Sequence, residues 1–174
     1  MTDADLPDVC VVTHPLGDAG ENATRTLLEI IAAVTTVSLV TADLPDESAI
    51  RDDHEVVELS DRRPDGSVPL AAVQFVRMQL RMCLTIARRD ESVVLFFGAT
   101  AYLLPICVAK LLGRTVILEP RGDVPLTLRL TWEARMPALL ARLLAGIVWS
   151  LEWIGYWVAD GIITYTPAMA SELG

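Results

Sequence analysis

Two continuously apolar runs with a helical segment between them are the feature that most constrains the fold of this 174-residue chain. The runs are Val93–Phe97 and Val116–Leu118, and the helical segment between them ends at Gly113, a residue type common at helix C-termini. A strand that is apolar at every position is covered on both faces, as strands of parallel sheets are. These residues therefore predict a strand–helix–strand unit of an α/β domain.

The rest of the chain continues this alternation of apolar runs and helical patterns. The predicted strands are Val9–Val12, Val37–Val40, Glu55–Leu59, Val93–Phe97, Val116–Leu118 and Ile162–Tyr165. The predicted helices are Asn22–Val34, Val68–Arg89 and Ala99–Leu112, followed by further helix in the long segment Leu126–Val158. The polar stretches Ala42–Arg51 and Asp61–Gly66 are predicted loops. This order favours a single Rossmann-like domain over residues 1–174, with a mostly parallel sheet of about six strands flanked by helices.

The predicted helix Val68–Arg89 has two contrasting faces. The apolar face consists of Val73, Val76, Leu80, Leu84 and Ala87. The other carries Arg77, Arg81 and Arg88, which we interpret as a solvated face rather than a binding patch.

The composition is strongly acidic, with 23 Asp and Glu against 14 Lys and Arg and a net charge of −9. Such a chain is a poor candidate for binding nucleic acid, because phosphate recognition needs clustered Lys and Arg. Lys110 is the only lysine, against thirteen arginines. This balance is typical of a protein from a high-salt cytoplasm, where salt screens the repulsion between like charges. An ordinary acidic protein from a GC-rich genome is the alternative.

The metal-ligating residue types are sparse and scattered. The three cysteines lie in apolar contexts without a Cys-x-x-Cys pair, as small buried hydrophobes of a reducing compartment do. His14 and His54 are isolated from other ligand types, so we expect no metal and no cofactor. Residues Met1–Asp8 lack the basic and apolar regions of a signal peptide, which predicts a cytoplasmic protein.

The segment Leu126–Val158 is predicted to contain two helices, the second with Pro137 in its first turn. Only nine uncharged residues separate Arg142 from Glu152, fewer than the roughly 20 that span a bilayer. One apolar stripe of the second helix is expected to pack on the sheet, and a second stripe carries tryptophans near Arg142. The first stripe is Leu140, Leu144, Ile147, Leu151, Ile154 and Val158, and the second is Trp149, Trp153 and Trp157.

Tryptophan beside arginine is typical of a surface that rests in a bilayer interface. We therefore predict contact between the tryptophan stripe and a membrane surface. Packing against another domain or subunit is the alternative.

The first predicted strand leads through a glycine-containing loop into a helix, and this arrangement offers backbone N–H groups to an anion. The candidate binding residues there are Gly17, Asp18, Gly20 and Glu21. The spacing Gly17-x-x-Gly20 matches only part of the dinucleotide fingerprint, but Asp43 stands where a ribose-binding acid would. A nicotinamide-dependent oxidoreductase fragment therefore remains an alternative.

Two further turns contain candidate residues. Glu119–Asp123 follows the fifth predicted strand, where Arg121 can hold a phosphate or a sugar hydroxyl and Gly122 permits close backbone approach. Thr166 and Pro167 follow the last strand and suit the start of a helix, with Thr166 as its N-cap.

Together these segments resemble the N-terminal domain of GT-B glycosyltransferases, specifically glycosyltransferase family 4. Family members have a glycine-containing loop after the first strand, matched loosely by Gly17–Glu21. A branch of the family carries Pro-Arg-Gly after the fifth strand, matched by Pro120-Arg121-Gly122. The family's later Ala-Asp, Ile-rich strand, Ser or Thr, and Glu-Leu-Gly are matched by Ala159-Asp160, Ile162-Ile163, Thr166 and Glu172-Leu173-Gly174.

The resemblance implies an acceptor-side domain that faces a donor-binding domain across a cleft, with retaining, metal-free transfer from a nucleotide-sugar to a glycan or lipid-linked acceptor. It places Gly17–Glu21 near the donor phosphates and Arg121 and Asp123 on the acceptor side, and many members carry a cleft histidine, for which His14 is the candidate. Residues 1–174 are expected to lack the donor-binding domain. The chain is then a truncated or split enzyme, or a non-catalytic subunit that docks a separately encoded donor domain at the inner face of the membrane.

Overall fold

A computed structural model describes residues 6–59, 68–121, 124–134 and 136–164, which form one α/β sheet domain. The strands are β1 (Val9–Thr13), β2 (Val37–Thr41), β3 (Glu55–Glu58), β4 (Val93–Phe97), β5 (Thr115–Glu119) and β6 (Gly161–Ile162). The helices are α1 (Asp18–Ala32), α2 (Ile50–Asp53), α3 (Val68–Ala87), α4 (Leu103–Leu111), α5 (Val124–Glu133) and α6 (Ala138–Val158).

The six strands form one sheet in the order β3-β2-β1-β4-β5-β6. All five pairings are parallel, so the prediction of a Rossmann-like, mostly parallel sheet of about six strands is confirmed. The chain runs outward from β1 to one edge, returns through α3 to β4, and runs outward to the other edge.

Each face of the sheet is covered by its own apolar cluster. Phe96 packs with Met82 of α3 and Ile106 of α4 on one face. The neighbouring Phe97 points to the opposite face and packs in the cluster that contains Leu28 of α1. Burial on both faces explains why the β4 run is apolar at every position, and each such side chain contributes about 1.5–3 kcal/mol to stability.

Several predicted boundaries are corrected by the structure. Helix α1 begins four residues before Asn22, so Gly20 and Glu21 lie in its first turn and not in the preceding loop. A short helix, α2, begins at Ile50, near the end of the predicted loop Ala42–Arg51, and its Ile50 is fully buried. Helix α4 begins at Leu103, which places Pro105 in the first turn, where a missing N–H costs no hydrogen bond.

The cysteines are free thiols, but only one is fully buried. Cys10 lies in the core, where burial raises the pKa of its thiol to about 12 and keeps it protonated. Cys83 and Cys107 are half-buried, so the expectation of three buried cysteines holds for Cys10 alone.

The predicted packing face of α6 is correct only in part, since Leu144, Leu151 and Val158 are half-buried and Val158 packs against the core. Leu140, Ile147 and Ile154 of the predicted inward stripe are exposed. The residues that are buried are Ala141, Ala145, Glu152 and Gly155. Small side chains let α6 approach α4 and the loop after β4 closely, and this turns the larger apolar side chains outward. Pro137 precedes the helix as its N-cap and does not lie in its first turn.

The tryptophan stripe is exposed, as its separation from the inward face predicted. Trp157 is 90% exposed, and the rings of Trp149 and Trp153 meet edge to face with their centroids 5.9 Å apart. Within the described ranges, α6 is the one helix whose length and composition would allow it to cross a membrane. The expectation that Arg142 and Glu152 make it too short is therefore wrong by that measure.

Candidate functional site

The candidate site is a crevice at the carboxyl edge of the sheet, between the ends of β1 and β4. These two strands are neighbours, but the chain leaves β1 toward β2 and leaves β4 toward β5. In open parallel sheets, a change of direction of this kind marks the crevice outside the strand ends in which ligands bind. A surface cavity of about 620 Å³ lies at the opposite edge, beside Val37 and Glu55, and contains none of the crevice residues.

Gly98, directly after β4, brings the loops of three strands together. Its φ of +66° is a left-handed conformation that glycine adopts without strain. A Cβ atom at this position would lie 3.3 Å from Cε1 of His14 and 3.5 Å from Cδ of Arg121. The N–H of Gly98 also donates a hydrogen bond of 2.9 Å to the backbone oxygen of Glu119, which ties the end of β4 to β5.

Arg121 extends from the end of β5 back over β4. Its guanidinium carbon lies 4.4 Å from the ring centroid of the buried Phe97, within the range of a cation–π contact. This contact holds a permanent positive charge at the mouth of the crevice. An arginine in this place can bind a phosphate in bidentate fashion, which lysine cannot do.

His14 follows β1 and lies beside Gly98. Part of its side chain reaches solvent, yet partial burial, and after it the positive charge of Arg121, lower the pKa of His14 below its ordinary value. The imidazole is therefore neutral near pH 7. A neutral imidazole can accept a proton from a hydroxyl group, which is the function of a general base.

Glu119 is a carboxylate of this region that was not among the predicted site residues. It is the last residue of β5 and is buried. Burial raises the pKa of its carboxyl group, and the charge of Arg121 partly opposes this rise. The sequence signal is a glutamate at the end of an otherwise apolar strand, directly before Pro120 and Arg121.

The loop after β1 is fixed to the end of β2 and the residues that follow it by two hydrogen bonds. The hydroxyl of Thr41 donates to the backbone oxygen of His14 at 3.2 Å, and the N–H of Leu16 donates to the backbone oxygen of Asp43 at 3.0 Å. The loop ends at Gly17, the N-cap of α1, which has no side chain to accept hydrogen bonds from the first-turn amides. Those amides and the helix dipole make this helix start suitable for an anion.

The loop after β4 is also seated on α6. The hydroxyl of Thr100 donates a short hydrogen bond to the carboxylate of Glu152, and both side chains are buried. Gly155 packs against the backbone oxygen of Thr100, since a Cβ there would lie 3.3 Å from it. The crevice loop and α6 are thus in direct contact.

The structure brings together His14 and Arg121, two of the three candidate catalytic residues that the resemblance places in the cleft, the third being Asp123. Gly17, Gly20 and Glu21 lie at the start of α1. The remaining predicted site residues lie outside the described part of the chain. They are Gly122, Asp123, Thr166 and, for its side chain, Asp18. The described residues contain no group of three metal-ligating side chains.

Three solved structures illustrate what this chain is similar to in fold. MurG of Acinetobacter baumannii matches 93% of this chain with a TM-score of 0.55 and 13% identity. A ugt transferase of Siraitia grosvenorii, solved in complex with UDP, matches 95% with a TM-score of 0.57 and 11% identity. A UDP-glucosyltransferase of Polygonum tinctorium matches 92% with a TM-score of 0.55 and 16% identity.

The chain therefore shares the fold of one part of each of these proteins. The alignments cover 42%, 43% and 47% of the three proteins, so this chain spans less than half of their length. No protein-family model matches the sequence, and no curated protein does either. Sequence identities this low support a shared fold but do not indicate a shared substrate.

Proposed function

We propose that this chain is the acceptor-side, N-terminal domain of a glycosyltransferase that resembles family 4 and works opposite a donor-binding domain. The observation that supports the proposal best is the meeting of His14 and Arg121 over Gly98, in the crevice between β1 and β4. This arrangement combines a neutral base and a fixed cation at the place where a ligand binds in such sheets.

His14 would accept the proton of an acceptor hydroxyl or orient it toward the sugar. Arg121 would hold negative charge that develops on the leaving diphosphate or on a phosphate of the acceptor. The first-turn amides of α1, from Gly17 to Glu21, would face the phosphates of the donor. Catalysis in such a site is largely the positioning of two substrates and the stabilisation of charge, without a metal ion.

The proposal includes a location at the inner face of the cell membrane, where a lipid-linked acceptor would be found. The exposure of Trp149, Trp153 and Trp157 on α6 supports this location.

An NMR titration of the isotope-labelled chain with UDP-glucose, UDP and NADH tests the proposal. We expect UDP-glucose and UDP to bind weakly and to shift the signals of Gly17–Glu21 and His14. Replacement of Arg121 by Gln should reduce the shifts at His14, whereas Arg25→Gln, on the exposed side of α1, should leave them unchanged.

Tight NADH binding with contacts to Asp43 would overturn the proposal in favour of a dinucleotide-dependent oxidoreductase. The absence of any shift at the crevice with all three ligands would favour a non-catalytic subunit.

A further inference from the structure

We infer that the helical layer on one face of the sheet, formed by α3, α4, α5 and α6, is a docking surface for anionic lipid. This deepens the membrane contact proposed above, and it concerns a larger surface with a defined lipid preference. It does not depend on sugar transfer.

The first observation is that the outer surface of this layer is apolar across its whole width. On α3 the apolar stripe faces outward, while Gln79, Met82 and Ile86 form the buried side of the helix. The exposed members of that stripe are Val73, Val76, Leu80 and Leu84. Leu104 and Leu111 of α4, Leu126 and Leu130 of α5, and Leu139, Leu143, Ile147 and the three tryptophans of α6 are also exposed.

These helices are adjacent and form one continuous surface. Helix α4 packs against both α3 and α6, and α5 packs against α6. Monomeric proteins seldom expose apolar side chains over several neighbouring helices without a binding role.

The second observation is the distribution of charge between the two faces of the sheet. Helices α3 to α6 contain five basic residues and two acidic ones, although the whole chain carries a net charge of −9. The five are Arg77, Arg81, Lys110, Arg129 and Arg142. The opposite face reverses the ratio, since α1 and α2 contain five acidic and two basic residues.

The two acidic residues of the layer do not present free negative charge. Glu152 is buried and accepts the hydrogen bond from Thr100. Glu133 lies between two arginines, 3.1 Å from Nε of Arg129 and 3.5 Å from Nε of Arg142. Lys110 is paired with Asp160 at 2.6 Å and adds no free charge to the layer. Arg77 and Arg81, with one net charge from the two arginines beside Glu133, still leave the layer apolar and positive.

The positive charge of the layer favours an anionic membrane over a second copy of the chain as its binding partner. A second copy of the chain docked through the same face would place like charges against each other, which is unfavourable at an interface. An anionic membrane surface offers both an apolar interior and negative head groups, and it attracts cations by about 1 kcal/mol each. Exposed tryptophans beside arginine are suited to the depth of the head groups.

The test is cosedimentation of the full 174-residue chain with vesicles of phosphatidylcholine alone and of phosphatidylcholine with phosphatidylglycerol. We expect binding to the anionic vesicles to be at least roughly tenfold stronger. The double variant Leu80→Ser/Leu84→Ser on α3 should lower that binding, and so should Trp149→Ser/Trp153→Ser/Trp157→Ser on α6. Arg77→Gln should weaken binding to anionic vesicles only.

The matched control is Ile30→Ser/Val34→Ser, in the last turn of α1 and the turn that follows it, at the opposite face. Ile30 and Val34 are 63% and 64% exposed, close to the 53% and 57% of Leu80 and Leu84. All of these variants change exposed side chains, so circular dichroism should show each of them folded.

Several results would overturn the inference. One is equal binding to both kinds of vesicle, and another is an equal loss of binding in the α1 control. A dimer in solution that Leu80→Ser/Leu84→Ser dissociates would show that a second copy covers the layer. If the protein stayed with the vesicles after an alkaline carbonate wash, α6 would span the bilayer rather than rest on it. The NMR titration with nucleotides reports on ligand binding at the crevice, so its result is independent of all these outcomes.

Discussion

At the scale of single residues, Gly98 is the position at which the two candidate side chains of the crevice meet. It combines a left-handed backbone with contacts to two side chains from different strands, His14 and Arg121. The other glycine with a positive φ among the described residues, Gly113, has a φ of +75° and no atom within 4 Å of the position of a Cβ. Replacing each glycine in turn therefore separates the destabilisation caused by the left-handed backbone, common to both, from that caused by contact with neighbouring side chains, present only at Gly98.

Replacement of Gly98 by Ala should destabilise the fold by about 1–2 kcal/mol, because an L-residue is strained at this φ. Gly113→Ala should cost a similar amount. Only Gly98→Ala should also displace His14 and Arg121, because their side chains can move away from the new methyl group. Urea unfolding measures the stabilities, and the ring signals of His14 in an NMR spectrum measure the displacement.

This prediction has a clear contrary result. If the His14 signals are the same in Gly98→Ala as in the unmodified chain, the contact over Gly98 does not hold the imidazole in place. Equal changes in Gly113→Ala would assign the effect to the backbone alone.

At the scale of elements, α6 is held on the domain by small residues and one buried polar pair. A Cβ on Gly155 would lie 3.3 Å from the backbone oxygen of Thr100 and 3.4 Å from Cδ1 of Ile106. Gly146 on the same helix is exposed, and nothing lies within 4 Å of its Cβ position. The two glycines therefore probe the buried and the exposed sides of one helix.

We expect Gly155→Leu to destabilise the domain by about 1–3 kcal/mol, because the extra side chain has no room beside Thr100. Gly146→Leu should stabilise it by up to about 1 kcal/mol, since leucine is the better helix former and the site is open. Thermal or urea unfolding of the two variants decides the matter. A stabilised Gly155→Leu variant would show that α6 does not rest on this face.

The difference between α6 and the strands shows what the sequence could predict. The run of β4 was predicted with its observed bounds because each of its residues is buried on one face or the other, so apolarity and burial coincide. In α6 and α3 they do not coincide. Many of their large apolar residues face outward, while Ala141, Gly155 and Gln79 face inward. A rule that places every apolar residue in the core therefore assigns these outward residues wrongly.

The crevice was predictable only in part, for a similar reason. His14 and Arg121 could be selected because each follows a strand, at the edge where ligands bind. Their meeting depends on the strand order, which places β1 beside β4 and β4 beside β5. It depends also on the conformation of Gly98. Neither the strand order nor this conformation can be inferred from the residues around His14 and Arg121.

At the scale of the whole molecule, several titrating groups make stability depend on pH in the same direction. Hydrogen bonds from Arg51 lower the pKa of Glu58, and hydrogen bonds from Lys110 and the backbone lower that of Asp160. Burial alone would raise the pKa of Glu91, but hydrogen bonds from Arg89 and Ser38 hold it below its ordinary value. A carboxyl group with a lowered pKa stabilises the fold when ionised, and this contribution is lost as the pH falls.

His14 acts in the same direction over a higher range. Its pKa is lowered in the folded state, so below about pH 6.5 the unfolded chain binds a proton more readily than the folded chain does. Glu119 opposes the other groups, because burial raises its pKa and its protonation at low pH favours the folded state.

We therefore expect the free energy of unfolding to fall in two stages as the pH is lowered from 8 to about 3. The first stage, below about pH 6.5, follows His14, and the second, below about pH 4.5, follows Glu58, Glu91 and Asp160. In the variant His14→Gln the first stage should shrink, and in Arg121→Gln it should shrink too, because the pKa of His14 rises toward its ordinary value once the nearby charge is removed. Urea unfolding at a series of pH values measures both stages.

The contrary result is that both variants keep the slope of the free energy of unfolding against pH that the unmodified chain shows between pH 6.5 and 5.5. His14 and Arg121 are then not electrostatically coupled in the folded state, and the crevice lacks the neutral base on which the proposed sugar transfer depends.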